Sequence, residues 1–597
     1  MMRFTMDNPS KRTTVRRNRP APLPSSGFEY PDGVTEDVAL GRTVGNPGGM
    51  VIDWSWVAGA TTYSVSNETQ WNSTMTTLGT TTADAAVIIE TDIELNPTKT
   101  IRRSTSGCKT VIIGRPAYER LVNNDTGEFI PAGERATTVS PGLIWITRAL
   151  VSDSNGNPLL DLGRQSGAAD KRGDGTHFMG VGFRPHPSQL QVSGYFMFLG
   201  ATGSESQNTL VEEPENIHFR QCVWDGSACE NKGAMLFSCR NASIVDSQVT
   251  HWWANTLGTF NWSDVNAFLA FNSSGNILLE NTEFDATGES VMFGGGAQSI
   301  GQDITNVVLR RCYIRKDRAF YATKVASEND ITTKNLWECK NIWKCVIEDC
   351  VMETSYDTDG GGQTGTAIVP KNNSYGSPGF DPRAGHILIR GCKVSDFQIL
   401  LGPLGFTAND DGTANSAMYV TQLHLIDNVA QDWVGTSFGS PRIFQLSDKI
   451  GVFHFRHNTV TQNASLTDGK VILFDSGMTT ANGPDDFVWE DNVCGWGEYG
   501  TNGGISRGGG PNGESALSTC CVSYSLTRNL FMRGVSGTPT GYPSGNSYYA
   551  AWTDLYESAD ITAKVWKLKP TIPLTSDGWT YGVSDWDYFS SRLANVV

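Results

Sequence analysis

The sequence predicts an all-β chain folded as a right-handed parallel β-helix, with an N-terminal arm and cap and an irregular C-terminal cap. Three observations predict it. A strand-and-bend unit recurs from about residue 178. Apolar residues alternate with period two inside each unit. The composition, with 64 glycines and many Asn, Ser and Thr, is that of a chain with frequent tight turns.

The unit reads apolar, any, apolar, any, any, small polar or Cys, any, apolar. Clear copies are Ile217-His218-Phe219-Arg220-Gln221-Cys222-Val223-Trp224, Val307-Val308-Leu309-Arg310-Arg311-Cys312-Tyr313-Ile314 and Phe453-His454-Phe455-Arg456-His457-Asn458-Thr459-Val460. The small-polar position falls at Cys222, Ser247, Asn281, Cys312, Cys350, Cys392, Asn428, Asn458, Asn492 and Asn529, with gaps of 25 to 42 residues. The copy ending at Cys350 reads one residue short. A fixed core with variable loops is what a β-helix rung supplies, and stacked Asn side chains at the bend can bond from rung to rung. A leucine-rich repeat would have a tighter period, and a propeller would need four strands per unit.

The flanks follow. Residues 1–26 are a basic, Pro-rich arm, with Arg12, Arg16, Arg17 and Arg19 suited to an acidic partner surface. They contain no apolar run of the kind that opens a secretory signal, and no stretch of the chain approaches a membrane span. Residues 27–177 read as a capping module and first coils. In it Trp71, Met75 and Leu78 share one face of a short helix, and Ala85–Glu90 is an apolar strand. Residues 178–532 are the β-helix and 533–597 a C-terminal cap.

A formal net charge of −16 makes the body a poor partner for nucleic acid. The 12 cysteines form no CxxC pair and no metal spacing, so those at the recurring position are expected to be reduced thiols stacked in the interior.

The copies from Asn281 to Asn529 resemble right-handed parallel β-helix proteins of the pectate-lyase-like superfamily, which includes phage tailspike-type proteins. Gly288–Gly295, Gly362–Asn373 and Phe455–Val460 are similar to segments of one bacterial β-helix family, and the resemblance covers most of residues 80–580. Pro370-Lys371-Asn372 stands where that family often has Pro-Arg-Asn. The resemblance implies a fold that serves polysaccharide lyases, glycoside hydrolases and tailspikes alike.

Candidate chemistry is acidic, because two carboxylates on one groove suit glycoside hydrolysis and a lyase needs a base beside an acidic sugar. Asp285 and Glu289 follow one bend, Asp357 and Asp359 lie in a Gly-rich loop, and Glu338 and Lys371 sit on neighbouring units. No metal or other cofactor is expected. Calcium is conceivable at Asp357–Asp359, although such a stretch is more often a solvated turn. Trp252, Trp253, Tyr356, Tyr375 and Phe380 are candidate sugar platforms.

The expected function is that of a virion-attached tailspike or similar appendage. It would join other virion proteins through residues 1–26 and bind host surface polysaccharide, with cleavage an open addition. An extracellular free lyase or hydrolase and a purely structural virion decoration are the alternatives. The sequence leaves room for a homo-oligomer, although no long coiled coil or intertwined tail points to a trimer.

Overall fold

The computed structural model describes the chain from Gly27 onward, except residues 38–41, 98, 102–106, 123–133, 151–157, 163–172, 190, 201–208, 211, 256–263, 296–297, 328–329, 332, 357–364, 373–381, 404–406, 409–413, 416–418, 434–440, 448, 463–468, 505–510, 535–536, 558–567, 573–580, 584–585, 595 and 597. Three long parallel sheets form the body: sheets A and B of 14 strands each and sheet C of 12. Sheet A runs from Thr61–Val65 to Ser523–Thr527, sheet B from Ile93–Leu95 to Ser547–Tyr549, and sheet C from Lys99–Thr100 to Gly500–Gly504. Successive strands of each sheet belong to successive turns of the chain, so the protein is a parallel β-helix, right-handed as parallel crossovers are.

Alternation within each strand sends one set of side chains inward, where like residues stack from rung to rung. Phe178 lies flat on Phe219 at 4.6 Å, and Phe455 on Trp489 at 4.1 Å. The expected helix forms at Glu68–Leu78, capped by the Asn67 side chain accepting from Gln70 N at 3.0 Å, and its Trp71, Met75 and Leu78 close the first rung. At the other end Leu517 and Cys520 of the helix Gly513–Cys520 join the same core. All 12 cysteines are free.

The bend from sheet A to sheet B takes two residues. The first has positive φ on many rungs, as at Asp246 (52°), Asn281 (46°), Asp427 (59°) and Asp491 (59°). The second turns its side chain inward as the recurring slot. Asn281 is therefore the bend residue and Thr282 fills the slot, its Oγ1 donating to Ile244 O at 3.2 Å. The rung ending at Cys350 is complete, because Cys345 stands where its ladder neighbours have Val307 and Ile387. From Cys392 onward the slot is an asparagine ladder. Cys392 N donates to Asn428 Oδ1 at 2.9 Å, Asn428 N to Asn458 Oδ1 at 2.9 Å, Asn458 N to Asn492 Oδ1 at 2.8 Å, and Asn492 N to Asn529 Oδ1 at 3.1 Å.

Close stacking leaves no room for a side chain at Gly275, which has φ of 99° and where a Cβ would lie 1.8 Å from Thr305 O. Gly275→Ala is expected to cost about 2–5 kcal/mol from backbone strain and overpacking together. A chemical-denaturation midpoint equal to that of the parent would refute this.

Two outer segments cover two of the three sheets. The described residues of 27–37 and 42–60 form a strap on the outside of sheet A: Phe28 and Tyr30 pack on Val346, Leu388 and Ile426, Val34 on Leu278 and Val308, and Trp54 against His177. On sheet B, Val583, Phe589, Leu593 and Val596 pack on Val351 and Val429, and Arg592 pairs with Asp349.

Candidate functional site

Sheet C carries a cluster of charged side chains on its outer face. In the strand Trp337–Cys339, Trp337 and Cys339 enter the core and the alternation turns Glu338 outward, beside Met292 and Val369 of the adjacent rungs. Glu338 Oε1 lies 2.7 Å from Lys371 Nζ and 3.3 Å from Lys340 Nζ, while its Oε2 accepts from Asn335 Nδ2. One rung earlier, Glu289 Oε2 accepts from Asn266 Nδ2 at 3.1 Å, and its Oε1 lies 3.3 Å from Lys334 Nζ. Tyr195 OH donates to Asn266 Oδ1 at 2.8 Å, and Lys334 also pairs with Asp264. Of the six residues that the sequence places on consecutive rungs as candidates for one face, Glu338, Lys371 and Glu289 are thus brought together.

The two carboxylates are buried, 2% and 1% exposed, and the lysine heads lie nearer the surface at 13–18%. Their environments pull them apart. Burial, reinforced by the charge of Glu338, raises the pKa of Glu289 above the ordinary carboxylate value despite Lys334. Burial also acts on Glu338, but Lys371 and Lys340 outweigh it and hold that group below its ordinary value.

Lys316 underpins the pair. It is fully buried, and its Nζ donates to the carbonyls of Ala286 (3.1 Å), Gly288 and Asn335 (3.3 Å), fixing the backbone next to Glu289 and the residue that bonds Glu338. Burial lowers its pKa to about 7, against the attraction of Glu289 and Asp285.

Asp285 belongs to a different cluster, on sheet B. Its carboxylate accepts from Tyr321 OH (2.5 Å), Asp317 N (3.0 Å), His251 N (3.2 Å) and Thr250 Oγ1 (3.4 Å). Ligand atoms of His251, Asp285 and Asp317 lie within 4.8 Å of one another. Four accepted bonds fill Asp285, and Arg315 already stands 3.4 Å from Asp317, so the charges are met by the protein's own groups.

The aromatic candidates are placed inside. Trp252 is 0% exposed, within the core beside Phe196 at 5.8 Å. Trp253 packs with Tyr321 and Ile331, and Tyr356 lies under Arg318 at 4.8 Å. Asp357, Asp359, Tyr375 and Phe380, and with them Arg12, Arg16, Arg17 and Arg19, lie outside the described residues. Asp264, Asn266, Lys334, Asn335 and Lys340 were missed in the sequence. Only Lys340 carried a signal, sharing the outward parity of Glu338 two residues away.

No family model matches the chain, and no curated protein matches it. Among solved structures, a tailspike protein mutant of E. coli bacteriophage HK620 in complex with a hexasaccharide is similar over 81% of this chain and 74% of that one, with 10% identity and a TM-score of 0.41. A PL6 family polysaccharide lyase from Pseudopedobacter saltans is similar over 87% of this chain and 98% of that one, with 11% identity and a TM-score of 0.37. The Dettilon tailspike protein is similar over 83% and 67%, with 10% identity and a TM-score of 0.32. At these values the likeness transfers no residue role, and the fold stands on the strand ladders themselves.

Proposed function

We infer that the outer face of sheet C binds a polysaccharide and can cleave it, with Glu289 as general acid and Glu338 as base or nucleophile. The observation that carries this reading is the pair itself: Glu338 on a strand of sheet C and Glu289 in the turn that leads into the preceding strand, each within reach of the other's charge, one pushed up and the other held down. Such a split is how a site keeps one group protonated and its neighbour ionised at the same pH. The lysine heads lie above the pair, so a sugar reaches it by displacing them and gains hydrogen-bond donors in doing so. Among the described residues, sheets A and B carry the chain's own segments on their outer faces, which favours sheet C as the face offered to a long ligand.

The setting we infer is a virion appendage directed at host surface polysaccharide. Its attachment is assigned to residues 1–26 by their charge alone. A glycan-array assay on the full chain, with reducing-end detection on every hit, tests the reading. Binding with product release is the expected result. Binding without release would remove the catalytic role and keep the binding role, and no binding would leave a structural appendage. Deleting residues 1–26 is expected to abolish particle incorporation while the body stays folded, and undiminished incorporation would overturn the anchor.

A further inference from the structure

Five of the chain's eight histidines lie on the outer face of sheet A, and four of these sit beneath the two ends of the strap. At one end Glu29 N donates to His386 Nδ1 at 3.0 Å, and Phe28 meets the rings of His386 and His424 at 6.0 and 5.3 Å. His424 in turn meets His454 at 4.9 Å. At the other end Trp54 and Trp56 hold His177 between them at 5.3 and 5.4 Å, and His177 rests on His218 at 4.9 Å. The middle of the strap is fastened differently, by Thr43 on Glu348, Glu36 on Arg390, and Asp32 on Asn306.

We propose that the strap is an acid-released clasp: neutral imidazoles hold its two ends on sheet A, and their protonation frees those ends while the rungs stay intact. The bonding pattern demands neutral rings. His386 Nδ1 is an acceptor, a role it loses on gaining a proton. Among the described residues, both ring nitrogens of His424 and the Nδ1 of His177 are buried without a hydrogen-bond partner, so a charge there would meet no acceptor from them.

The surroundings of each ring set the direction. His424 faces His454, Arg456 and His386, with only Asp486 opposing, and burial and these cations press its pKa down to about 3. Burial also lowers His386, where Glu29 opposes and Lys344 and Arg383 assist. His177 and His218 both face Lys109, and burial brings His218 to about 4. Burial, with His218 and Lys109 assisting, lowers His177 well below its ordinary value, and cation–π attraction to Trp54 and Trp56 would oppose this. His454 has its own carboxylate, Asp486 at 2.9 Å, and is not part of the trigger.

A lifted end returns its histidines to water and to the ordinary value near 6.5. The freed state therefore binds more protons, and the hold of the strap weakens as pH falls below about 6.5 toward the lowered values, by up to about tenfold per pH unit for each histidine exposed. Release would bare an apolar stripe, Val346, Leu388 and Ile426 under Phe28 and Tyr30.

Hydrogen exchange on the full chain between pH 7 and pH 5, corrected for intrinsic rates, tests the clasp. Peptides spanning 27–36 and 50–60 are expected to lose protection by at least about tenfold, while the slot amides of Asn458 and Asn492 keep theirs. Unchanged strap protection at pH 5 would overturn the proposal, and so would parallel loss in strap and rungs. The double variant His386→Gln, His424→Phe keeps an acceptor for Glu29 N and a ring under Phe28 without titrating. Its 27–36 peptide is expected to stay protected at pH 5, and loss there equal to the parent's would overturn the proposal for that end. If the variant does not fold, the parent profile decides alone.

Discussion

Asn458→Ala is expected to destabilise the rungs around it by about 3–5 kcal/mol. The Asn458 side chain makes five bonds. Its Oδ1 accepts from Asn428 N and Nδ2, both at 2.9 Å, and its Nδ2 donates to Leu425 O (2.9 Å), Arg456 O (3.0 Å) and Asn492 Oδ1 (3.2 Å). Alanine leaves Asn428 N buried without its acceptor, at roughly 1–3 kcal/mol, removes the bonds to Asn428 Nδ2, Leu425 O, Arg456 O and Asn492 Oδ1, and adds a small cavity. Asn458→Cys is expected to lose less, because a thiol already serves this slot: Cys312 N donates to Cys350 Sγ at 3.4 Å, and Cys350 Sγ donates back to Leu309 O. Each rung of a solenoid is coupled mainly to its neighbours, so the loss is local. Exchange of the Asn428 amide should accelerate strongly in the alanine variant and that of strands below residue 280 should not. Uniform acceleration along the chain would contradict a ladder of nearest-neighbour bonds.

That slot was legible because its side chains must be small and polar on every rung, whatever the loops do. Where reading and structure part, one residue type serves two purposes. Asn tolerates the left-handed bend and also fits the slot, so Asn281 and Thr282 exchange places with no trace in the pattern. Cys345, standing in a core position, made a complete rung look short.

The strap was not legible in its own residues, which have no period. It left a mark on its target: Val307-Val308-Leu309 and Cys345-Val346-Ile347 are apolar on both faces, the pattern of strands covered on both sides. The site was half legible for a related reason. Period two states which residues point outward, and so gathered Glu338 with Lys371. It does not state what lies across a rung, and Lys316, Lys334 and Asn266 reach the site through loop and rung geometry that spacing along the chain does not encode. Trp252 is no exposed platform because the solenoid core takes large rings on many rungs, as Trp224, Trp252, Trp337, Trp433 and Trp489 show, and Trp253 and Tyr356 are buried beside it by loop packing.

Glu338→Gln carries the largest expected effect on activity. Gln keeps the volume and an acceptor for Asn335 Nδ2 but removes the charge that Lys371 and Lys340 stabilise. Product release from any glycan that the parent cleaves is expected to fall by about 10²–10⁴-fold, with glycan affinity little changed. Glu289→Gln should fall in the same range, and the double variant should be little worse than either alone, because the two act on one bond. Lys371→Met separates a catalytic pair from two merely structural carboxylates. Losing that cation raises the pKa of Glu338, so the ionised base is lost at higher pH and the acid limb of the pH–rate profile moves up. Removing Lys334, which lowers Glu289 strongly and Glu338 more weakly, raises both pKa values and is expected to move the alkaline limb up more than the acid limb. An acid limb that moves alone without Lys371, against an alkaline limb that moves most without Lys334, would assign the base and the acid. Identical profiles in the two variants, or full activity in Glu338→Gln, would send the chemistry elsewhere and leave sheet C as a binding surface.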